Sequence, residues 1–553
     1  MKTRCMEVFL AVLLAATVSV AVADDRGQVQ GGEQRPNILI LMAEDMSSRV
    51  GAFGDSIALT PNLDTLAEAG VRFPNTFTTA GVCAPSRAAH ITGVHQIAFG
   101  AQHMRTRSFK PTPYRSVPPA EVKAYPELLR AAGYYTFTNH KLDYQFSNYG
   151  ADTGPFTIWD YEGNKPGWDL RDKGQPFFGL INFGITHESQ MFSKNVKKNL
   201  ENGIPQRVAP DMVAVPPYYP DTPTVRKDIA RQYDNISEMD RQVGLWLERL
   251  RKDGLDDNTI VIWTTDHGDG LPRAKREIYD SGIRVPMIVF WPERLRPANI
   301  NPGSEDRRLI SFIDFAPSVL HWAGAAKPDF LQGKPVLADS GIERQYVYAS
   351  KDRLDEFSFR ERAVRDYRFK YIRNYRAGEP GAKHLAYRDQ LDIMNELWTW
   401  YENGRLSSQQ SFWFEPRPEE ELYDLSVDPW EVNNLAGKPD YSATLERMSG
   451  ALNEWQSRVR DYSDQPESEM ALQFWPDGKQ PVTLTPVIHF EGNVVTVECP
   501  TEGASIGYTL DSGVSWKLYT GPVALSPGDS ISVKAVRYGW QESETRTVGV
   551  AGN

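Results

Sequence analysis

Hydrophobic and polar positions come in blocks along the first half of the chain, and the blocks repeat one design. Residues 36–42, 176–183 and 258–265 are near-continuous apolar runs, the pattern of strands buried on both faces of a parallel sheet. Each run gives way to polar residues: Glu44 and Asp45 after the first, His187 after the second, Asp266 and His267 after the third. Shorter strands are expected at 134–138 and 287–291. Helical stretches lie between the strands. One opens at Thr60 and Pro61 and closes at Gly70; a second, 127–132, is capped by Gly133. A third, 224–251, is long and amphipathic, with Ile229, Tyr233, Ile236, Met239, Val243 and Trp246 on one stripe. A fourth spans 312–320. Strands alternating with helices predict an α/β domain with a doubly wound sheet, which collects ligands at the carboxyl ends of its strands.

The texture changes twice after that. From about residue 341, strand-like runs at 346–349, 362–364 and 369–372 are interleaved with charge, as in a smaller antiparallel α+β subdomain, and a helix at 442–459 closes it. The charged stretch 351–356 reads as a loop, and 462–480 as a polar linker. The remainder switches to period-two strands and turns and predicts an all-β sandwich. Trp516 and Trp540 read as core residues of that sandwich, with sugar stacking as the alternative. The expected division is therefore 24–340, 341–462 and 481–553, behind a leader at 1–23.

The chemistry centres on residues 83–95, Cys-Ala-Pro-Ser-Arg-Ala-Ala-His-Ile-Thr-Gly-Val-His. Pro85 suits the first position of a helix, which puts Cys83 at a helix N-terminus as an acidified, exposed thiol with Arg87 one turn away. Glu44 and Asp45, adjacent at a strand end, need a cation or protons. Asp266 adds a third acid suited to a hard cation. His103 and Arg105 sit in a basic loop that suits sulfate or carboxylate groups.

The pattern Cys-x-Pro-Ser-Arg-x4-Thr-Gly resembles the signature of type I sulfatases, in which the cysteine is oxidised after translation to formylglycine (3-oxoalanine). Similar elements follow the family's order: Thr-Pro-Asn-Leu-Asp-x-Leu-Ala at 60–67, Lys141, a Pro-Phe-Phe run ahead of His187, Asp266-His267, and Lys275 ahead of Tyr279 to Pro286. The resemblance covers roughly 36–459 and implies an alkaline-phosphatase-like mixed sheet. It implies hydrolysis of sulfate esters through a covalent sulfo-enzyme intermediate at position 83. One calcium ion (Ca2+) would be held by Glu44, Asp45, position 83, Asp266 and His267. Lys141 and Lys275 would hold sulfate oxygens, Arg87 would fix the formylglycine hydrate, and His187 would protonate the leaving oxygen. A formylglycine-generating maturation enzyme is an implied partner. Two positions depart from the family. Glu44 replaces an Asp, and Asp143 stands where a His is usual, which leaves the base on the hydrate unassigned; His140 is one candidate. His103, Arg105, Asp143, His140 and Arg353 are the expected substrate contacts. The tail looks like the chitobiase-like or immunoglobulin-like module of carbohydrate-active enzymes. It favours a sulfated polysaccharide or oligosaccharide, such as a carrageenan or glycosaminoglycan fragment.

Composition narrows the rest. The 553 residues are 41% hydrophobic and 24% charged with a net charge of −11, which argues against nucleic acid and against unselective binding of polyanions. Lys2 and Arg4, an apolar run at 8–20 and Ala21-Val22-Ala23 read as a cleaved secretory signal. The expected location is periplasmic or extracellular, without stable membrane insertion. Cys83 and Cys499 remain after cleavage and are expected to stay unpaired, because oxidation consumes the first. Two rivals stand: a two-zinc phosphatase or phosphodiesterase of the same superfamily, and a non-catalytic sugar-binding protein.

Overall fold

A computed structural model describes residues 35–549, apart from 111, 148, 149, 151, 152, 299, 339 and 340; the leader expected at 1–23 lies outside the described residues. The main sheet has eight strands: β1 (Asn37–Ala43), β2 (Val71–Phe77), β3 (Tyr135–Thr138), β4 (Tyr161–Glu162), β5 (Phe177–Phe183), β6 (Thr259–Thr265), β7 (Arg284–Phe290) and β8 (Ile310–Ser311). Their order is β4-β3-β5-β1-β6-β7-β2-β8. The centre, β3-β5-β1-β6, is parallel. β7 runs antiparallel to both β6 and β2, so the sheet is mixed.

The apolar runs are buried on both faces, as their composition requires. Every residue of β1, β5 and β6 is buried. Alternate side chains feed opposite cores. Ile38, Ile40, Met42, Ile260 and Ile262 pack under the helices Cys83–Thr92, Tyr125–Ala131 and Phe315–Trp322. Leu39, Leu41, Val261 and Trp263 pack under Pro61–Ala69 and the 30-residue helix Pro223–Lys252. The stripe read from the sequence supplies Ile236, Met239 and Val243 to that second core.

A second, antiparallel sheet follows: β9 (Val347–Lys351), β10 (Glu361–Arg365), β11 (Phe369–Asn374) and β12 (Glu420–Asp424), in the order β12-β11-β10-β9. The helix Ser442–Arg458 covers it, with Met448, Leu452 and Trp455 against Val364, Tyr371 and Leu422. The stretch expected as a charged loop is interior at its start. Lys351 ends β9, and Lys351, Asp352 and Arg353 are all buried. Arg362 holds them in place by donating to the carboxylates of both Asp352 and Asp461.

The expected linker is also structured. It carries the helix Glu467–Phe474, whose Met470 and Ala471 are buried in a cluster with Tyr114. The tail then forms two sheets, of three and four strands, around Val495, Val497, Leu525, Ile531 and Val533. It is docked on the α/β body. The Tyr538 hydroxyl (2.8 Å) and Ser505 hydroxyl (2.5 Å) both donate to the Glu127 carboxylate. Phe146 stacks on Tyr538 with centroids 4.9 Å apart. Trp516 meets Phe156 edge to face at 5.6 Å and belongs to this interface, not to the sandwich core. Cys83 and Cys499 are unpaired. Among the described residues no helix is long and apolar enough to cross a membrane.

Glu127 accepts three buried hydrogen bonds, from Tyr538, Ser505 and Thr157. Glu127→Ala leaves those donors without their acceptor and is expected to cost about 2–4 kcal/mol. Faster amide exchange across 481–549 measures the loosened dock. Unchanged exchange there would show that other contacts hold the tail.

Candidate active site

β1, β5 and β6 end flush, because Ala43 pairs with both Phe183 and Thr265. The residues that follow therefore emerge side by side. The backbone beyond the strands is unusual: Asp45 (φ 51°) and Lys141 (φ 80°) adopt left-handed conformations. A non-glycine residue held there costs about 1–3 kcal/mol and persists only where its surroundings impose it. Asp45 is so imposed. Its N–H donates to Asp266 Oδ1 (3.1 Å), and its Oδ2 accepts from the Glu188 N–H (2.8 Å). Its carbonyl accepts from the Gly270 N–H (3.0 Å) and from Gln232 Nε2 (3.1 Å) on the long helix. Gly268 closes the loop behind His267; a Cβ there would sit 1.9 Å from the Ser281 carbonyl oxygen.

Cys83 is the first residue of its helix, after extended Val82, and Pro85 is the third. The thiol is fully buried, against the expectation of exposure. Its Sγ lies 3.3 Å from His267 Nε2 and 3.8 Å from Asp45 Oδ1. One turn on, Arg87 donates from Nε to Asp266 Oδ2 (3.0 Å) and from Nη1 to Asn182 Oδ1 (2.5 Å). Lys141 Nζ donates to Glu44 Oε2 (2.6 Å). Lys275 Nζ donates to Asp45 Oδ2 and lies 3.2 Å from His187 Nε2. His187 Nδ1 is 2.8 Å from the Ser189 hydroxyl, and the ring is half-buried.

Crowding sets the charges. Burial pushes the Cys83 thiol up, but Lys141 and Lys275 outweigh it and bring it to about 6. Burial likewise opposes ionisation of Asp45, yet Lys275, His187 and His267 hold its carboxyl well below the usual range. Asp266 falls to about 2, against burial, chiefly through His267 and Arg87. Burial disfavours the charged His267 ring, but Asp266 and Asp45 raise it to about 10. Glu44 is lowered too, with Lys141 overcoming burial.

The site gathers a donor set for a metal cation. One ligand atom each from Asp45, Cys83, Asp266 and His267 lies within 4.8 Å of the others, all buried. His267 Nδ1 is 3.0 Å from the Gly268 carbonyl; donation there fixes the ring and turns Nε2 toward the acids. Glu44 falls in a second group with Asp45 and His187, and its Oε1 is buried with no hydrogen-bond partner. A buried carboxylate oxygen in that state calls for a cation. The two groups share Asp45, which suits one ion more than two.

Nine expected residues thus converge: Glu44, Asp45, Cys83, Arg87, Lys141, His187, Asp266, His267 and Lys275. The expected substrate contacts divide. Asp143 Oδ2 accepts from Arg105 Nη1 (2.8 Å), and the pair lines a narrow cleft. Burial works against the Asp143 charge, but Arg105 and Lys141 hold its carboxyl below the ordinary range, so it is a poor base. His140 is half-buried, and its carbonyl accepts from Asn182. His103 and Arg353 point inward instead. Arg353 makes a two-pronged bond to Glu467 and also donates to the carbonyls of Met104 and Asp355. His103 Nδ1 accepts from the Arg353 N–H at 3.1 Å. Glu467 lies in the stretch expected as linker, so an internal partner for these residues is not legible from sequence.

Asn182, Glu188 and Gln232 were not among the expected site residues. Glu188 neighbours His187 in sequence and grips Arg276 with both oxygens, 2.6 and 2.8 Å. Its adjacency to His187 was the available signal. Gln232 had none, since its partner is a backbone carbonyl 187 positions away.

A mixed α/β sheet with a buried cysteine and acidic clusters at its strand ends defines an alkaline-phosphatase-like ester hydrolase. Solved structures share this fold: a putative sulfatase from Bacteroides thetaiotaomicron (TM-score 0.55, 21% identity, covering 78% of this chain and 94% of that one). Another is the phosphonate monoester hydrolase of Agrobacterium radiobacter (TM-score 0.53, 18% identity, 78% and 97%). The profile described as Sulfatase matches residues 36–325, and that of the N-sulphoglucosamine sulphohydrolase C-terminal region matches 273–395. An ulvan-active sulfatase of Formosa agariphila is 39% identical over 551 residues, 92% of this chain and 91% of the relative. Human N-sulphoglucosamine sulphohydrolase is 27% identical over 77% of this chain and 90% of its own length. The chain belongs to the sulfatase family and is a sulfuric ester hydrolase.

Proposed function

We propose that this sulfatase is an exported enzyme that removes sulfate from a sulfated carbohydrate, with formylglycine formed from Cys83 and one bound calcium ion. The observation that carries the reading is the buried Cys83 beside three carboxylates and four cationic groups at converging strand ends. Asp45 and Asp266, with His267 and Glu44, are the residues to hold the ion. The carboxylate oxygens suit a hard cation, while the softer His267 leaves calcium favoured by the family resemblance more than by ligand type. When bound, it draws negative charge from the sulfate oxygens. The hydrated aldehyde supplies two hydroxyls, one to attack sulfur and one to expel the sulfate.

The chain's own groups do the remainder. Lys141 and Lys275 neutralise sulfonyl oxygens. Arg87 Nη2, buried and without a hydrogen-bond partner, is available to orient the diol. His187 is more solvent-exposed than the acids around it and lies beside Lys275, where it can deliver a proton to the leaving oxygen and regain one from water. The relatives named for ulvan and for N-sulphoglucosamine point to a carbohydrate sulfate, and ulvan fragments head the substrate class. A phosphatase reading has little support, since the clusters among the described residues share Asp45 and offer few imidazoles.

A panel of defined sulfated oligosaccharides, from ulvan, carrageenan and glycosaminoglycans, tests this by sulfate release from the matured enzyme. Turnover of at least one class is expected. Phosphate release from aryl phosphates that outpaces sulfate release from every sugar would overturn the reading.

A further inference from the structure

Beside the site lie a small pocket and a larger cavity walled by the β-sandwich, and the proposed hydrolysis does not use the larger one. Arg105, Arg107, Arg115 and Asp143 line the near part; Arg115, Phe146, Trp540 and Gln541 line an adjoining cavity of about 320 Å3. Arg115 lines both, so its side chain lies between the two. The near part adjoins the site through Asp143, two positions on from Lys141. The far cavity is within the size of ordinary ligand clefts.

Glu542 also lines the far cavity, but its carboxylate accepts from Lys534 Nζ (2.6 Å). Arg105 has Asp143. Arg107 and Arg115 have no carboxylate and no hydrogen-bond partner among the described residues. Partial burial and the neighbouring Arg107 hold the Arg115 guanidinium below its ordinary value. A half-buried guanidinium at Arg115 and an exposed one at Arg107, both unpaired, match an anion with planar or tripodal oxygens.

The far wall comes from the tail and is held rigidly. Gly539 has φ 84°, and a Cβ there would lie 2.3 Å from the Ser116 carbonyl oxygen. Its own carbonyl accepts from Trp475 Nε1 (3.4 Å) and Gln480 Nε2 (3.0 Å). Tyr538 beside it is the residue anchored to Glu127 and Phe146. Trp540 therefore follows a clamped dipeptide. Its ring is half-buried, pairs with no other ring among the described residues, and faces the cavity. A rigid indole face so placed suits the apolar face of a sugar ring.

We propose that this cleft is a distal subsite for a sulfated polysaccharide chain. Arg107 and Arg115 bind a sulfate or carboxylate on a sugar beyond the one being desulfated, and Trp540 of the β-sandwich stacks on a neighbouring ring. The proposal rests on the carbohydrate-sulfatase reading above, and it makes the tail part of substrate recognition.

The test is kcat/KM for sulfate release by the matured, full-length enzyme from di-, tetra- and hexasaccharides of the sulfated polysaccharide that it turns over. The wild type is expected to gain about tenfold from the shortest to the longest substrate. Trp540→Ala and Arg115→Gln are each expected to remove most of that gain, while Trp540→Phe and Arg115→Lys keep most of it. A wild type indifferent to length overturns the proposal. So do alanine and glutamine variants that keep the gain, or that lose rate equally at every length. Release from an aryl sulfate but from no sugar of any length would instead sink the carbohydrate reading beneath it.

Discussion

Cys83→Ser, purified as the unconverted serine, is expected to fold like the wild type and to lose sulfate turnover by about 10⁴-fold or more. The argument is one of oxygen count. A hydrated aldehyde carries two hydroxyls on one carbon, and serine carries one, so serine can attack sulfur but has no second oxygen with which to expel the sulfate. The fold should tolerate the change, because serine is smaller and the pocket already offers polar neighbours in His267 and Asp45. Thermal melting checks the fold, and kcat on a sulfated oligosaccharide checks the chemistry. Intact mass checks the modification: the wild-type peptide should be about 18 Da lighter than one with cysteine, through loss of sulfur and two hydrogens against gain of oxygen. Wild-type turnover by the serine variant would end the formylglycine assignment.

The second large effect is expected at Asp45. Asp45→Ala removes the carboxylate that Lys275, His267 and the Glu188 N–H all use. Stripping one partner from a buried charge group costs about 3–5 kcal/mol, because the remaining charges stay buried without compensation. Activity should vanish with it. Asp45→Asn separates the two consequences. The amide keeps the volume and one acceptor oxygen, so stability should fall less, while the loss of negative charge should still abolish the calcium response. For chelator-treated wild type, calcium at 100 times its dissociation constant should add about 2.7 kcal/mol of stability, read as a rise in melting temperature. Asp45→Asn should show little or none of that rise. A wild type whose melting temperature and activity both ignore chelation would remove the ion from the proposal.

Much of the site could be read from order along the chain. A strand buried on both faces has to be apolar throughout, so its end is marked by the first polar residues, and at 44–45 and 266–267 those residues form the buried acidic clusters. The Cys83 segment was equally legible, because a helix start with an arginine one turn later is a local pattern. Legibility failed where partners are remote. Exposure of Cys83 was inferred from a helix terminus alone, whereas Asp45 and His267, from two other strand ends, close on the thiol. His103 and Arg353 looked like substrate contacts because each is charged or polar in a basic setting, yet Glu467, over a hundred residues beyond Arg353, occupies both.

What the sequence determined by itself is the set of parts: apolar strands ending in acids, a cysteine opening a helix, lysines in loops, and a tail with period-two alternation. Those features depend on spacing of two to four residues, which covalent geometry and solvent exposure dictate locally. Only the tertiary structure decided that β1 lies between β5 and β6, which sets Asp45 against Asp266 across 221 positions. It also decided that β7 reverses direction, and that the tail is clamped through Tyr538 and Gly539 so that Trp540 walls a cleft. Strand order and docking are fixed by the packing of whole faces, and no single stretch of chain carries that information.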